Sequence, residues 1–350
     1  MSQPEMSLRD RFARLIAATG PISLAQFMAE SNARYYDSRD PLGSAGDFIT
    51  APEVSQMFGE LIGLWLADLW DRAGRPAPVH YVELGPGRGT LARDALGAAR
   101  RFGLTPNVHF VEASSALRAV QRGLFPDATW HGDLSSLPED APLLIVANEF
   151  LDALPVRQLV RTAQGWRERM VGLDGDRLVP LAGPRPMDAA IPPGFADARE
   201  GAIIETCPAA ATVVDEIGRR LAVQGGGALI IDYGRTEPAT GSSLQALRAH
   251  EKVDPFAWPG EADLTAHVDF SILPAIAQAA GAHWMGTLEQ GAFLTALGLG
   301  ARMEALARAA PARSGAVRAA AHRLAAPEAM GALFKVMALG GPDWPVGAAF

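Results

Sequence analysis

Val82-Glu83-Leu84-Gly85-Pro86-Gly87-Arg88-Gly89-Thr90 is the stretch whose reading decides the fold. Residues 79–84 are apolar and partly β-branched, as a central parallel strand requires, and residues 91–102 carry apolar side chains at helical spacing. The three glycines between them therefore form a strand-to-helix turn. Without Cβ atoms the backbone there approaches a ligand closely, and the unpaired N–H groups of the new helix favour an anion.

The spacing separates one nucleotide cofactor from another. A dinucleotide fingerprint needs G-x-G-x-x-G/A, and counting from Gly85 places Thr90 at its third small residue. The G-x-G-x-G spacing of Gly85, Pro86, Gly87 and Gly89, running into Thr90 and preceded by Glu83 in the strand, resembles motif I of the S-adenosylmethionine-dependent methyltransferases with a Rossmann-like core. A short motif of this kind also fits a glycine-rich turn without catalytic meaning. The next strand ends favour a cofactor site. Residues 108–111 run into Glu112-Ala113-Ser114, where an ionised, acceptor-only carboxylate suits a vicinal diol. Residues 128–131 run into Gly132-Asp133-Leu134, which places Asp133 to accept from an adenine amino group. Singly, either acid reads as a solvated loop carboxylate.

A fourth strand, residues 143–147, leads into Asn148-Glu149-Phe150-Leu151-Asp152-Ala153-Leu154-Pro155-Val156. In a parallel sheet this end lies beside the glycine turn at the topological switch point. The N/D-P-P-F/Y motif of some amino-group methyltransferases is absent. Glu149 and Asp152 stand three apart, as on one side of a helical turn, although an acid there can also serve only the helix dipole.

Three segments carry a more specific resemblance: Gly46-Asp47-Phe48-Ile49-Thr50-Ala51-Pro52-Glu53-Val54-Ser55-Gln56-Met57-Phe58-Gly59-Glu60, the motif around Gly85, and the stretch from Asn148 to Val156. Together they are similar to the MidA-like family, which includes the mitochondrial complex I assembly-factor methyltransferase. Gly227-Ala228-Leu229-Ile230-Ile231-Asp232-Tyr233-Gly234, Asp263-Leu264-Thr265-Ala266-His267-Val268-Asp269-Phe270 and the segment from Gln290 to Gly298 extend the likeness along the chain. The resemblance implies S-adenosyl-L-methionine as cofactor and protein arginine methylation as activity, with a complex I-type subunit as one acceptor. It also implies that the loop bearing Asp47, Thr50, Glu53, Ser55 and Gln56 folds over the cofactor as a lid. On residues alone the loop could simply lead into a helix over residues 54–69 capped near Pro52 or Ser55. Ala51 and Asn148 are mild departures from the family pattern.

On this reading Glu149, Asp152 and Glu53 would act on the acceptor. The cofactor would be held by Glu83, Gly85, Pro86, Gly87, Gly89, Thr90, Glu112, Ala113, Ser114, Asp133, Leu134, Asn148, Asp47, Thr50, Ser55 and Gln56.

The bulk composition is compatible with such an enzyme. The chain has 350 residues, 49% of them hydrophobic, enough for one large core or a core with a cap. A net charge of −8 gives no footprint for nucleic acid and suits a basic protein substrate. The single Cys207 excludes an intrachain disulfide framework, and the seven histidines show no zinc-like spacing, so no metal is expected. His267 reads as a packing residue before a catalytic one. No apolar run is long enough to span a membrane. The arginines at 9, 11 and 14 suggest a transit peptide until Glu5 and Asp10 are counted, and a bacterial cytoplasm is the simplest location.

The expected architecture is an α/β Rossmann-like methyltransferase core, a seven-stranded mostly parallel sheet with an antiparallel edge formed by residues 283–288 and 333–339. Residues 1–76 form a helical amino-terminal region with the lid loop, and residues 77–350 the core, with a β-rich insertion at about 157–200 and a helical cap at about 292–326 broken at Pro311. Residues 235–268 are expected to be a long functional loop and residues 269–280 a helix. Three functions remain open: a protein arginine methyltransferase, a small-molecule methyltransferase, or a noncatalytic assembly factor that keeps the fold.

Overall fold

The computed structural model describes residues 6–38, 50–192 and 194–350. The strands that build its main sheet are β1 (His80–Leu84), β2 (Asn107–Val111), β3 (Thr129–His131), β4 (Leu143–Asn148), β5 (Gly226–Arg235), β6 (His283–Glu289) and β7 (Phe334–Gly340). They lie in the order β3-β2-β1-β4-β5-β7-β6, and an eighth strand of two residues, Val268–Asp269, pairs parallel with the end of β5. β1 is parallel to both β2 and β4, so the winding reverses beside it and leaves a crevice at its carboxyl end. The α/β Rossmann-like class, with residues 283–288 and 333–339 paired antiparallel at the edge, is as the sequence leads one to expect. Only β7 runs against the sheet; it is inserted between β5 and β6, which leaves the edge strand β6 pointing with the parallel strands.

Both faces of the sheet are covered, which is why the central strands read as unbroken apolar runs. In β4, Leu144 and Val146 face one core while Leu143, Ile145 and Ala147 face the other. The helices that precede or connect these strands include α1 (Leu24–Ser38), α2 (Gln56–Arg72), α3 (Thr90–Ala99), α4 (Ser115–Leu124) and α5 (Pro208–Gln224). The first core is closed by α2, α3 and the carboxyl-terminal helices through Trp65, Leu66, Leu96, Phe293 and Leu324. The second is closed by α5 and the helix Leu273–Ala279 through Val214, Ile217, Leu221 and Leu273. α2 and α3 touch so closely that a Cβ on Gly63 would stand 2.0 Å from the Ala95 carbonyl oxygen.

The amino-terminal region divides between two cores. While α2 packs on the sheet, the helix Leu8–Thr19 and α1 form a third core, through Phe12, Phe27 and Met28, with Val171 and Leu178 of the inserted segment. That insertion is an antiparallel sheet of Arg157–Thr162, Gly165–Asp174, Arg177–Pro186 and Ile203–Thr206, and the short strand Ile22–Ser23 pairs onto it.

Three expectations need correction. Residues 235–268 contain a small antiparallel sheet of Gln245–Arg248, Glu251–Val253 and Asp263–Thr265. Its strands are too short for a periodic signature, and Ala246 and Leu264 find their apolar partners in the amino-terminal helices. The helix expected from residue 269 begins at Leu273, because Asp269 is engaged by Arg235 and by the N–H and hydroxyl of Ser271. The cap is three helices, Gln290–Ala296, Leu299–Ala309 and Ser314–Ala325, broken at Gly298 (φ +95°) as well as at Pro311. Among the described residues no helix is long and apolar enough to cross a membrane.

Candidate active site

A cavity of about 400 Å³ opens at the carboxyl ends of β1, β2 and β4. Its floor is the glycine turn. Gly85, Gly87 and Gly89 all have left-handed φ, at +63°, +54° and +80°, which other residues adopt only at a cost. The Gly85 N–H still donates to the Val111 carbonyl at 2.9 Å, so the β1–β2 ladder runs straight into the turn, and Gly89 caps α3. Beneath it Glu83 is buried; the Tyr81 hydroxyl donates to it at 2.6 Å, and desolvation raises its pKa to about 8.

Glu83, Gly85, Pro86, Gly87, Thr90, Glu112, Ala113, Ser114, Asn148, Glu149, Asp152, Glu53 and Thr50 all border the cavity. At the end of β2, Glu112 is buried and accepts from the Ser114 N–H at 2.8 Å and from Gln121 at 3.2 Å. Burial raises its pKa. Ser114 caps α4 and donates its hydroxyl to the Tyr36 carbonyl of α1. Glu53, in the short helix Ala51–Val54, accepts from the Thr90 hydroxyl at 2.6 Å and so joins that helix to the glycine turn, while most of the loop expected to act as a lid lies outside the described residues.

The remaining residues take other places. Gly89 is outside the lining, beneath the Phe125 ring. Asp133 also stands outside: its carboxylate accepts from the N–H and hydroxyl of Ser135, which holds its pKa low, and so caps the short turn Leu134–Ser136 at the surface. Leu134 is buried in the second core. Ser55 caps α2 through the Met57 N–H, and Gln56 donates to Glu60. Asp47 lies outside the described residues.

The end of β4 departs from the helical turn expected for residues 149–152. Glu149 itself has left-handed φ, +51°, and the chain turns back towards β5. Both acids nevertheless border the cavity. Glu149 Oε1 accepts from the Ala51 N–H at 3.1 Å and from Asn148 Nδ2 at 3.2 Å, while Asn148 Oδ1 is buried without a partner among the described residues. Burial, then the charges of Asp152 and Asp263, raise the Glu149 pKa to about 8. Burial raises that of Asp152 to about 6, opposed by a hydrogen bond from Tyr233.

Several lining residues escape sequence reasoning. Asp263 accepts from the Tyr36 hydroxyl at 2.8 Å, and both border the cavity beside Tyr233. Asn32 staples this wall together: its amide donates to the carbonyls of Ala153 and Leu264, and its oxygen accepts from the Leu264 N–H. Gln121 ties the Gly87 carbonyl to Glu112. Asp263 lies within a segment of family resemblance; Asn32 and Tyr36 carry no local signal, since each acts through partners distant in the chain, and Gln121 stands behind the lining. His267 packs edge-on against the Tyr233 ring, 5.5 Å between centroids, outside the cavity lining. Among the described residues no group of three or more His, Cys, Asp or Glu side chains could hold a metal.

A glycine cradle with no side chains, flanked by the Glu112 carboxylate and an orphaned Asn148 oxygen, fits an amino-acid nucleoside. The comparisons agree. The profile of a family of S-adenosyl-L-methionine-dependent methyltransferases matches residues 61–288. The protein arginine methyltransferase NDUFAF7 homolog, mitochondrial, of Drosophila melanogaster is 36% identical over 95% of this chain and 84% of its own. Human mitochondrial protein arginine methyltransferase NDUFAF7 is 35% identical over 83% of this chain and 73% of its own. A Burkholderia thailandensis protein crystallised with S-adenosyl-homocysteine superposes with a TM-score of 0.86 at 30% identity, covering 99% of this chain and 97% of that one. With the cavity at the switch point and matches over most of its length, this chain belongs to that family of S-adenosyl-L-methionine-dependent methyltransferases.

Proposed function

We propose that the protein is a protein arginine N-methyltransferase, acting on a respiratory complex I-type subunit or another protein. The observation that carries this reading is the grouping of Glu149, Asp152 and Asp263 around one cavity wall beside the glycine turn. Two relatives named as protein arginine methyltransferases support it. The glycine turn and Glu112 border an open cavity, which favours catalysis over a noncatalytic role.

In this reading Gly85, Gly87 and Thr90 receive the methionine end of the cofactor and Glu112 its ribose, with Glu83 beneath. When bound, S-adenosyl-L-methionine supplies an electrophilic methyl group on a sulfonium. A guanidinium has no free lone pair and stays charged at neutral pH. The residues must therefore hold the cation, aim one nitrogen and take its proton as the new N–CH3 bond forms. Glu149 and Asp152 can accept the guanidinium fork in two hydrogen bonds, and the arriving positive charge favours their ionised forms. The raised pKa of Glu149 then suits it to take up the departing proton.

The test is mass spectrometry of methylarginine peptides from cells with the gene, without it, and with Glu149→Gln in its place. Loss of the same methylarginine site from the second and third strains is expected. An unchanged methylarginine pattern, with a small metabolite losing its methyl group instead, would replace this reading with small-molecule methylation.

A further inference from the structure

The backbone N–H groups of the turn after β4 are all directed at β5. The Glu149 N–H donates to the Ile231 carbonyl at 2.9 Å. The next three, on Phe150, Leu151 and Asp152, converge on a single oxygen, Asp232 Oδ2, at 3.2, 2.9 and 3.3 Å. The other oxygen accepts from the Tyr233 N–H at 3.1 Å. Asp232 is 1% exposed and sits on β5 behind the cavity lining, so it meets neither of the positions proposed for cofactor and acceptor.

We propose that Asp232 is a positioning residue: by gathering three successive N–H groups it holds residues 149–152 in the turn that presents Glu149 and Asp152 together to the cavity. The inference rests on the methyl-transfer reading for its purpose, though its geometry does not depend on the acceptor. A residue other than glycine at left-handed φ costs about 1–2 kcal/mol, and Glu149 stands there because the carboxylate fixes the chain on its far side. The orientation that results lets Glu149 reach the Ala51 N–H, the first of the short helix Ala51–Val54, with which Asp232 itself makes no hydrogen bond. An aspartate is needed, since an amide in its place would turn an NH2 either on the three N–H groups or on that of Tyr233.

The experiment is residue-resolved hydrogen exchange on the whole protein loaded with S-adenosyl-homocysteine, comparing the natural chain with Asp232→Asn, alongside calorimetric titration of S-adenosyl-homocysteine. In the variant the amides of Phe150, Leu151 and Asp152 should exchange at least tenfold faster. So should the remote amide of Ala51, while the Gly85 amide, bonded to the Val111 carbonyl, keeps its protection and the ligand affinity stays within threefold. Methyl transfer, followed in parallel, should fall at least tenfold in kcat without a matching change in affinity for the cofactor. An unchanged Ala51 amide in the variant, or equal loss of protection across Ala51, Gly85 and the sheet, would overturn the proposal, the latter by showing a general fold defect. If the variant does not fold, the natural chain decides: exchange of the Phe150 to Asp152 amides at open-chain rates refutes it, and protection of at least a hundredfold upholds it. Failure of the arginine reading would leave these exchange results untouched.

Discussion

Replacing Glu149 by Gln should make the protein more stable as the pH rises, at the same time as it removes methyl transfer. Glutamine keeps the shape and can still accept from the Ala51 N–H and Asn148 Nδ2, but it does not titrate. In the folded chain the Glu149 pKa is raised from 4.5 to about 8, first by burial and then by Asp152 and Asp263. A carboxyl with a raised folded pKa contributes its stability below the unfolded value and loses it as the pH climbs through the folded one. The change would amount to roughly 5 kcal/mol if taken in full. Glu149 is only half-buried and borders the open cavity, so solvent screening reduces this to about 2 kcal/mol. With an unfolding entropy of about 2.1 cal/mol/K per residue over 350 residues, this is a shift of about 3 °C in Tm. Thermal melts of both proteins without cofactor at pH 5 and pH 9 give the difference, to which the relief of Asp232, whose pKa the Glu149 charge raises, adds in the same direction. The advantage of the Gln variant should widen by about 3 °C between the two. A constant or shrinking difference would refute the assignment of Glu149 as a half-buried acid strained by its neighbours.

Gly85→Val should abolish S-adenosyl-homocysteine binding by calorimetry while circular dichroism stays native, because φ is +63° there and even a Cβ would stand 2.9 Å from the Phe150 ring. Gly63→Ala should cost about 2–3 kcal/mol in urea unfolding, since its methyl would meet the Ala95 backbone, which cannot swing aside as a side chain can. His109 bridges His80 and His131 at 3.2 and 3.0 Å, and burial with these neighbours lowers its pKa from 6.5 to about 4. A base with a depressed folded pKa loses stability as the pH falls from 6.5 towards 4, so the urea midpoint of the natural chain should approach that of His109→Gln over this range. Equal slopes with pH would contradict it.

The sequence by itself determined the sheet and its switch point. Strands buried on both faces are continuous apolar runs, and the glycines between β1 and α3 mark a turn that needs left-handed φ, so both are local properties of the chain. It also placed Glu112, Glu149 and Asp152, because strand ends in a parallel sheet fall on one side. Tertiary structure alone decided the other wall. Asn32 and Tyr36 reach the cavity from α1, and Asp263 from a three-residue strand, through bonds that span more than 100 positions of sequence. It likewise turned Asp133 away, since a carboxylate at a strand end can be taken by the next N–H as easily as by a ligand. The direction of Glu149 also belongs to the tertiary structure. Its left-handed backbone is unfavourable locally and exists only because a carboxylate some 80 residues further on, brought alongside by the β4–β5 pairing, collects the N–H groups that follow.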